Sequence, residues 1–335
     1  MPRPLGEQVV VITGASQGIG RETALQAAQR GASVVVAARN EEALRELAAQ
    51  VERIGGQAEV VPTDVADYEQ VARLGQRAVD RFGRIDTWVN NAAVSIYATV
   101  ENLEPEEMRR LIEVNLLSQM YGSKVAISHM KPRREGTIIN IGSALSERAI
   151  PLQAAYVASK HAVQGFSEAL RLELMHEQAG IDVVVILPSS INTPLFNFAR
   201  SKLGVLPMPV PPVYEPRVVA AAICHAAEQG GREIVVGGWG KLLVLAQRLS
   251  PSLLDRYMLQ NGRSFEQQKT DRPDDRRDNL FDPSTGPGST TGEFGEGSKS
   301  SSVYTSTLEL HPNRKRVAAA ALALAAVGLV RRIGR

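Results

Sequence analysis

The sequence predicts an α/β fold built on a doubly wound, mostly parallel sheet. Over the first 240 residues, short apolar runs alternate with longer stretches of helical periodicity, and this alternation is typical of right-handed βαβ crossovers. The first apolar run, Gln8–Ile12, leads through a glycine-rich turn into a helical stretch. Backbone N–H groups at such a turn, and at the start of the helix that follows it, can bind a diphosphate.

Seven strands and six helices are predicted in this part of the chain. The strands are expected at Val9–Ile12, Ser33–Ala38, Ala58–Pro62, Thr87–Asn90, Gly136–Ile141, Asp182–Leu187 and Glu233–Val236. The helices are expected at Gly18–Gln29, Glu41–Ile54, Tyr68–Phe82, Pro105–His129, Gln153–Gln178 and Pro216–Gln229. Ligands of such sheets bind beyond the carboxyl ends of the strands, so residues that follow the strands are candidates for a functional site.

Composition narrows the class of protein. The chain has 335 residues, of which 44% are hydrophobic, enough for a sizeable core, and its net charge of +2 gives no indication of nucleic-acid binding. The single cysteine, Cys224, cannot form an intramolecular disulfide and fits a reducing compartment. Five scattered histidines lack metal-ligand spacing, so no metal site is predicted. The first strand leaves no room for a signal peptide, and a cytoplasmic location is expected.

Tyr156 and Lys160 are spaced Y-x-x-x-K, and Ser143 lies thirteen residues upstream of the tyrosine. On a helix, residues i and i+4 share a face, so the phenol and the ammonium can occupy one site. A neighbouring ammonium lowers the pKa of a phenol, which makes tyrosine usable as a proton donor and acceptor. Taken alone, the pair also fits a surface tyrosine beside a solvated lysine, and the surrounding motifs decide between the two.

The glycine-rich turn, Thr13–Gly20, has glycines at positions 14, 18 and 20. This G-x-x-x-G-x-G spacing differs from the G-x-G-x-x-G of the general dinucleotide fingerprint. A tight turn explains one glycine with positive φ but hardly three at these positions. The turn therefore predicts a dinucleotide cofactor.

With these motifs the chain resembles the short-chain dehydrogenase/reductase (SDR) family, in its compact single-domain form, over about residues 5–240. The resemblance implies a Rossmann fold and an oxidoreductase. Two positions depart from the family pattern, because Ala93 stands in place of a glycine and Ser189, rather than glycine, follows Pro188. The other matches occur in the family's order: Asp64-Val65 after the third strand, Asn90-Asn91-Ala92 after the fourth, then Asn115, Ser143, Tyr156 and Lys160.

The resemblance also implies which residues bind the cofactor. Asp64 would accept a hydrogen bond from the adenine amino group, and Asn91 and Ala92 would lie beside the adenosine ribose. Ile191 and Thr193 would contact the nicotinamide carboxamide. The full set of cofactor-binding residues expected from the family is Gly14, Ser16, Gln17, Gly18, Ile19, Gly20, Arg39, Asp64, Val65, Asn91, Ala92, Tyr156, Lys160, Pro188, Ile191 and Thr193.

The end of the second strand indicates which cofactor is used. Ala38 occupies the position where NAD-dependent relatives usually carry aspartate, and Arg39 follows it. A guanidinium can pair with the 2′-phosphate of NADP, so NADP is favoured over NAD. The alternative is a solvated Arg39 that opens the next helix.

The resemblance assigns the catalytic roles to four residues. Tyr156 is the proton donor in carbonyl reduction and the base in alcohol oxidation, and Lys160 lowers its pKa and binds the nicotinamide ribose. Ser143 donates to the substrate oxygen. Asn115 holds a water in a proton relay to Lys160, or alternatively serves as a buried polar residue of the core.

The loop from Ser189 to Tyr214 should cover the substrate, as it does in the family. It is rich in apolar residues and has no cluster of basic residues suited to a carboxylate or phosphate. Arg200 and Lys202 are expected to be solvated. We therefore predict an apolar ketone, aldehyde or secondary alcohol as the substrate. The loop's apolar residues before its proline-rich end are Leu195, Phe196, Phe198, Leu203, Val205, Leu206 and Met208.

Beyond the catalytic domain (residues 1–240), residues 241–265 predict a helical extension that packs on the domain. Residues 266–312 are rich in Asp, Arg, Ser, Thr, Gly and Pro, cannot bury enough surface to fold alone, and predict a disordered linker. Residues 313–335 predict an apolar helix with basic flanks. Its apolar run, Val317–Val330, has 14 residues, which is short for a hydrocarbon core of about 30 Å. Membrane association and docking on protein both stay open.

Together these features predict an NADP(H)-dependent oxidoreductase, with a homo-oligomer expected from the family. The alternative is a non-catalytic, nucleotide-sensing protein on the same fold, tethered to a membrane or a partner by its tail. A pure sensor has no need of a proton-transferring tyrosine, so the set Asn115, Ser143, Tyr156 and Lys160 argues against it.

Overall fold

A computed structural model of the chain describes residues 3–260, 263–275 and 277–311. The strands are β1 (Val9–Thr13), β2 (Ser33–Ala38), β3 (Gln57–Pro62), β4 (Thr87–Asn90), β5 (Ile96–Tyr97), β6 (Gly136–Ile141), β7 (Ile181–Pro188), β8 (Arg200–Ser201), β9 (Val205–Pro207), β10 (Glu233–Val236) and β11 (Lys269–Pro273). The helices are α1 (Gly18–Gln29), α2 (Glu41–Arg53), α3 (Tyr68–Phe82), α4 (Pro105–Ile112), α5 (Ser118–Met130), α6 (Ala154–His176), α7 (Pro216–Gln229), α8 (Gly238–Leu249), α9 (Pro251–Leu259) and α10 (Arg263–Glu266).

Seven strands form the central sheet in the order β10-β7-β6-β4-β1-β2-β3, and every neighbouring pair is parallel. The chain order reverses between β1 and β4, since β2 and β3 lie on one side of β1 and the later strands on the other. Such a reversal opens a crevice at the carboxyl ends of the two central strands. The predicted fold class is confirmed.

Both faces of the sheet are covered, which explains why its strands are apolar at successive positions. In β1, Val10 and Ile12 pack on one face against residues of α1, α2 and α7. Val9 and Val11 point to the opposite face and pack with residues of α3, α4 and α6. The period of two along the strand thus divides one short apolar run between two cores.

The predicted helix Pro105–His129 is interrupted in the structure. A π-helical turn, Glu113–Leu117, separates α4 from α5. Single π-helical turns within helices often occur at functional sites. Asn115 lies in this turn, and its side chain hydrogen-bonds to the backbone of Val94 in another part of the chain. This long-range contact has no signature in the local sequence.

The segment after residue 237 begins with α8, α9 and α10. The structure then differs from the expected disordered linker of residues 266–312: β11 pairs with β9 in an antiparallel ribbon, and the following residues run across the carboxyl edge of the central sheet. Leu280 is buried there, in the cluster that includes residues of α3 and α6. We call residues 278–299 the strap.

The predicted apolar helix at residues 313–335 lies outside the described residues. In the part of the chain that the structure describes, no helix is both long enough and apolar enough to cross a membrane.

Candidate active site

A cavity of about 470 Å³ lies at the carboxyl edge of the sheet, over the crevice between β1 and β4. Of the site residues predicted from sequence, all except Gly20 and Asn115 line it. They come from the turns after six different strands and from one face of α6. These lining residues are Gly14, Ser16, Gln17, Gly18, Ile19, Arg39, Asp64, Val65, Asn91, Ala92, Ser143, Tyr156, Lys160, Pro188, Ile191 and Thr193.

The glycine-rich turn is shaped by close backbone approach. Gly14 has φ +67°, and a Cβ there would lie 2.7 Å from Cα of Ala92. A Cβ at Gly20 would overlap the carbonyl oxygen of Gly14. Gly20 therefore lies behind the cavity as a packing position that lets α1 start close against β1. These contacts hold the turn tightly against the carboxyl ends of β1 and β4, with Gly14 and Gly18 on the cavity wall.

Thr13 and Asn91 join the carboxyl ends of β1 and β4. Asn91 Nδ2 donates to the carbonyl oxygens of Thr13 at 2.9 Å and Gly14 at 3.2 Å. The Thr13 hydroxyl accepts from Asn91 N at 3.0 Å and donates to the carbonyl oxygen of Val89 at 3.2 Å. Asn91 thus sets the width of the crevice as well as lining it.

Arg39 and Asp64 lie at one end of the cavity, and both have protein partners. The Asp64 carboxylate accepts from Arg110 at 2.7 Å and from the backbone of Ala66 at 3.0 Å. The Arg39 guanidinium donates to the carbonyl oxygens of Asn279 and Phe281 in the strap, so it is not the freely solvated arginine of the alternative interpretation. Burial lowers the pKa of Arg39, and the nearby Arg110 charge lowers it further.

Helix α6 places Tyr156 and Lys160 one turn apart on the cavity wall. Lys160 is 1% exposed, and its ammonium donates to the carbonyl oxygen of Ile141, at the end of β6, at 2.9 Å. Lys160 Nζ lies 5.4 Å from the centre of the Tyr156 ring. The Ser143 hydroxyl oxygen accepts from Leu145 N at 3.1 Å, and the hydroxyl also hydrogen-bonds with Tyr156.

Burial has the largest effect on the pKa values of Tyr156 and Lys160. It raises the pKa of Tyr156 to about 12, against the opposing effect of a hydrogen bond with Ser143, and it lowers the pKa of Lys160 to about 8. The upward shift is opposite in direction to the lowered tyrosine pKa expected from the sequence. The reason is geometric: Lys160 lies over the ring, and the enclosed site penalises a phenolate.

Asn115 is fully buried behind the cavity, and its amide is engaged on both sides. Its Oδ1 accepts from Val94 N at 2.8 Å, while its Nδ2 donates to the Val94 carbonyl at 3.0 Å and to the Ser159 hydroxyl at 3.3 Å. The Asn115 carbonyl oxygen accepts from Gln119 at 3.2 Å. In this geometry Asn115 fixes the segment after β4 and the helix that carries Tyr156 relative to each other.

The far end of the cavity is built partly by residues that the sequence analysis missed. Arg148 lines it and donates to Gln247 at 2.6 Å and to Asp255 at 2.6 Å. Gln153 and Gln268 meet at 2.9 Å across the same wall. These residues belong to no motif and come together only through the C-terminal helices, so no sequence signal could have found them.

The predicted covering loop contributes only some of its apolar residues. Leu195, Phe196 and Met208 line the cavity, whereas Leu203 packs against the cluster of Tyr97, Leu152 and Ala199. Arg200 and Lys202, expected to be solvated, both pair with Glu107, at 3.2 and 2.8 Å. They do not line the cavity.

The fold and site define an oxidoreductase with an NAD(P)-binding Rossmann fold, acting on CH–OH or C=O groups. Residues 8–204 match the family model described as short chain dehydrogenase, and the chain belongs to that family.

Two curated relatives and one solved structure show how far the similarity extends. The uncharacterized oxidoreductase YxnA of Bacillus subtilis is 40% identical over 288 residues, which is 85% of this chain and 80% of the relative; the alignment therefore reaches the first residues of the strap. A 3beta-hydroxysteroid dehydrogenase of Mediterraneibacter gnavus is 37% identical over 190 residues, 56% of this chain and 68% of the relative. An alcohol dehydrogenase from the archaeon Thermococcus sibiricus, complexed with 5-hydroxy-NADP, has a TM-score of 0.60 and 25% identity, covering 68% of this chain and 95% of that one.

Proposed function

We propose that the protein is an NADP(H)-dependent oxidoreductase that interconverts an apolar ketone or aldehyde and its alcohol, with Tyr156 as the proton donor and acceptor. One observation carries the proposal: Ser143, Tyr156 and Lys160 line the same cavity as the glycine-rich turn. A nucleotide sensor would need only the turn, so the non-catalytic alternative is not favoured.

The residues around the turn fit a dinucleotide. Gly14, Gly18 and Ile19 line the cavity at the turn and at the N-terminus of α1, where a helix N-terminus favours the negative charge of a diphosphate. The hydroxyl oxygens of Ser95 and Ser189 are buried at residues that line the cavity and lack a hydrogen-bond partner among the described residues. Polar atoms of a bound ligand would satisfy them.

The choice of NADP rests on charge at the end of β2. Ala38 provides no carboxylate to accept from ribose hydroxyls, while the guanidinium of Arg39 lines the cavity close enough to Arg110 to lower its pKa. Because Arg110 is paired with Asp64, the Arg39 guanidinium is the cation that would favour a 2′-phosphate. The similar Thermococcus sibiricus enzyme is complexed with a hydroxylated NADP, which supports the same choice.

In carbonyl reduction, the nicotinamide supplies the hydride and the protein supplies position and the proton. The high pKa of Tyr156 keeps its phenol protonated at neutral pH, ready to transfer a proton to the carbonyl oxygen. Ser143 donates a hydrogen bond to the same oxygen and stabilises its developing charge. The Lys160 ammonium stabilises the phenolate that Tyr156 leaves, until solvent returns the proton. In alcohol oxidation the proton moves the other way.

The cavity walls favour an apolar substrate. Leu195, Phe196 and Met208 come from the covering loop, and Pro211 and Pro212 extend the same wall. Within the described residues, Arg148 Nε and Ser264 Oγ are buried at lining residues without a hydrogen-bond partner. A second acceptor on the substrate, distant from the reacting carbonyl, would find donors there.

The proposal extends to cellular context. We expect a cytoplasmic location, because the enzyme would use NADP(H) and Cys224 forms no disulfide. We also expect a homo-oligomer, by analogy with the family. Light scattering of the purified chain tests the oligomer, and cell fractionation tests the location and any membrane association.

The test of the function is NADPH oxidation, followed at 340 nm, with a panel of apolar ketones and aldehydes beside small polar ones. We expect turnover with members of the apolar set. NADPH binding with no turnover of any carbonyl, and no reduction of NADP+ by any alcohol, would favour the sensor instead.

A further inference from the structure

The strap, residues 278–299, is fastened to the protein at the end of the cavity that holds Arg39. Arg39 donates to the carbonyl oxygens of Asn279 and Phe281. The neighbouring Asn40 donates through Nδ2 to the carbonyl oxygens of Ser284 at 2.7 Å and Gly286 at 3.0 Å. The residues after β2, which decide the cofactor in the proposed function, therefore also hold the strap.

The middle of the strap lies on the glycine-rich turn itself. Gln17 Nε2 donates to the Ser284 hydroxyl at 2.6 Å, and Gly18 N donates to the carbonyl oxygen of Ser289 at 2.8 Å. From the other side, Gly288 N donates to the Glu46 carboxylate at 3.1 Å. An N–H group at the start of α1 is thus committed to the strap.

The far part of the strap is fastened to the segment after β7. Gly292 N donates to the Asn192 carbonyl at 3.3 Å, and Phe294 N donates to Asn192 Oδ1 at 3.0 Å. Lys299 N donates to the carbonyl oxygen of Val213 at 2.9 Å. The strap therefore runs from the residues after β2 to the segment after β7.

Two glycines allow this close course. A Cβ at Gly288 would overlap the carbonyl oxygen of Ser16, and a Cβ at Gly292 would lie 2.5 Å from the carbonyl oxygen of Thr193. Both neighbours are rigid backbone atoms of the two segments expected to bind the cofactor. At Gly295, by contrast, a Cβ would meet only the Asn192 side chain at an ordinary 3.4 Å.

The first part of the strap lines the cavity. Asn279, Pro283 and Ser284 line the same cavity as Arg39 and Asp64. Because both its ends and its middle are held, a dinucleotide could not pass beneath it sideways. We propose that the strap is a cover that completes the cofactor site and must lift for the dinucleotide to enter or leave; this rests on the proposed function only for the kind of cofactor.

The contacts that hold the strap are of a kind that allows it to open locally. Most are hydrogen bonds that involve backbone atoms of the strap, joined by ion pairs of Asp278 with Arg200 and of Glu293 with Arg272. Leu280 is the one deeply buried apolar anchor of the strap, near one end. Segments held in this way open locally while the rest of a protein stays folded.

The test compares Gly288→Ala with Gly295→Ala in the full chain. Release of NADPH is followed by stopped-flow fluorescence after displacement with excess NADP+, and thermal unfolding checks that both variants fold. We expect release to be at least tenfold faster in Gly288→Ala and within twofold of the parent in Gly295→Ala. Unchanged release in Gly288→Ala would overturn the proposal. Slower release with tighter binding would overturn it as well, because it would show that the strap competes with the cofactor.

A second measurement needs no variant. Trypsin cleavage after Arg277 and Lys299, at the borders of the strap, should slow at least tenfold when NADPH saturates the parent protein. Equal cleavage rates with and without bound NADPH would contradict the proposal that the strap covers the cofactor. Both experiments report binding rather than turnover, so a protein that binds NADPH but reduces no carbonyl would refute the proposed function and leave this test intact. A parent that binds neither NADPH nor NADH would overturn both.

Discussion

The central sheet and the strap border the same cavity, but different forces hold them in place. All five residues of β1 are buried, and they pack on two separate apolar clusters. The strap is mostly exposed, with Leu280 buried at one end, and its other contacts are mainly hydrogen bonds to loops of the sheet. Burial of apolar area dominates folding free energy, so the sheet determines stability and the strap adds little.

The difference shows how one site can hold its catalytic groups rigidly and still admit a cofactor. The groups that must hold their geometry, Tyr156 and Lys160, lie on a helix packed against the sheet. The part that would admit the cofactor is attached by interactions that break one at a time. The predictions below test that division.

Tyr156→Phe gives the largest expected effect. The change removes the transferable proton and keeps the ring, so kcat should fall by about 10²–10⁴-fold, the usual contribution of a general acid or base. The dissociation constant for NADPH, measured by fluorescence titration, should stay within about threefold of the parent. A kcat within tenfold of the parent, roughly 1.4 kcal/mol on the barrier, would remove Tyr156 from the role of acid.

Two equally buried leucines test the comparison directly. Leu74 in α3 and Leu280 in the strap belong to the same apolar cluster and are 0% and 1% exposed. Leu74→Ala should cost about 2–5 kcal/mol of unfolding free energy, measured in urea. Leu280→Ala should cost less than about 1 kcal/mol, because the strap can detach while the sheet stays folded. Equal losses would mean that the strap is part of the cooperative core.

The buried Lys160 should make stability depend on pH. Its pKa is about 8 in the folded protein against 10.5 for an ordinary lysine, so between these pH values the unfolded chain holds more protons. Stability contributed by this group then rises with pH, by up to about 1.4 kcal/mol per unit.

The matched control for this effect is Lys160→Met. Tyr156 and Cys224 have raised pKa values and oppose the rise at high pH, but they are common to both proteins. We expect the unfolding free energy of the parent, minus that of the variant, to increase from pH 8 to pH 10 in the absence of cofactor. A flat difference would show that Lys160 is not desolvated.

A smaller effect is expected at the end of β2. Ala38→Asp combined with Arg39→Ser should shift the preference for NADP over NAD by at least tenfold towards NAD, about 1.4 kcal/mol. Arg39→Ser alone separates loss of charge from loosening of the strap, because loosening should weaken both cofactors alike. A parent protein that binds NAD as tightly as NADP would refute the charge argument.

The sequence predicted those features that are encoded locally. The turn Thr13–Gly20 and the pair Tyr156 and Lys160 depend on spacing within one element, and the strands depend on apolar runs. The fold class and the motif residues that line the cavity were therefore accessible from the sequence. The π-helical turn at Asn115 was not, because it accompanies a contact with Val94 that is distant in the chain. The raised pKa of Tyr156 was not, because it depends on how deeply the assembled cavity buries the ring.

The strap illustrates a second limit of prediction from sequence. Residues 266–312 have the composition of a chain that cannot fold alone, and that inference is sound for an isolated segment. Their course in the structure depends on surfaces that other parts of the chain provide, such as Asn40 and Asn192, and on backbone atoms that carry no side-chain pattern. Composition alone cannot anticipate such docking.

Hydrogen exchange with and without NADPH tests most directly whether the dinucleotide binds in this crevice and beneath the strap. Saturating NADPH should slow amide exchange in three separate stretches, residues 13–20, 91–95 and 278–299, and leave the exposed face of α3 unchanged. An unchanged pattern in the glycine-rich turn and after β4, with NADPH bound, would place the cofactor elsewhere and contradict the account.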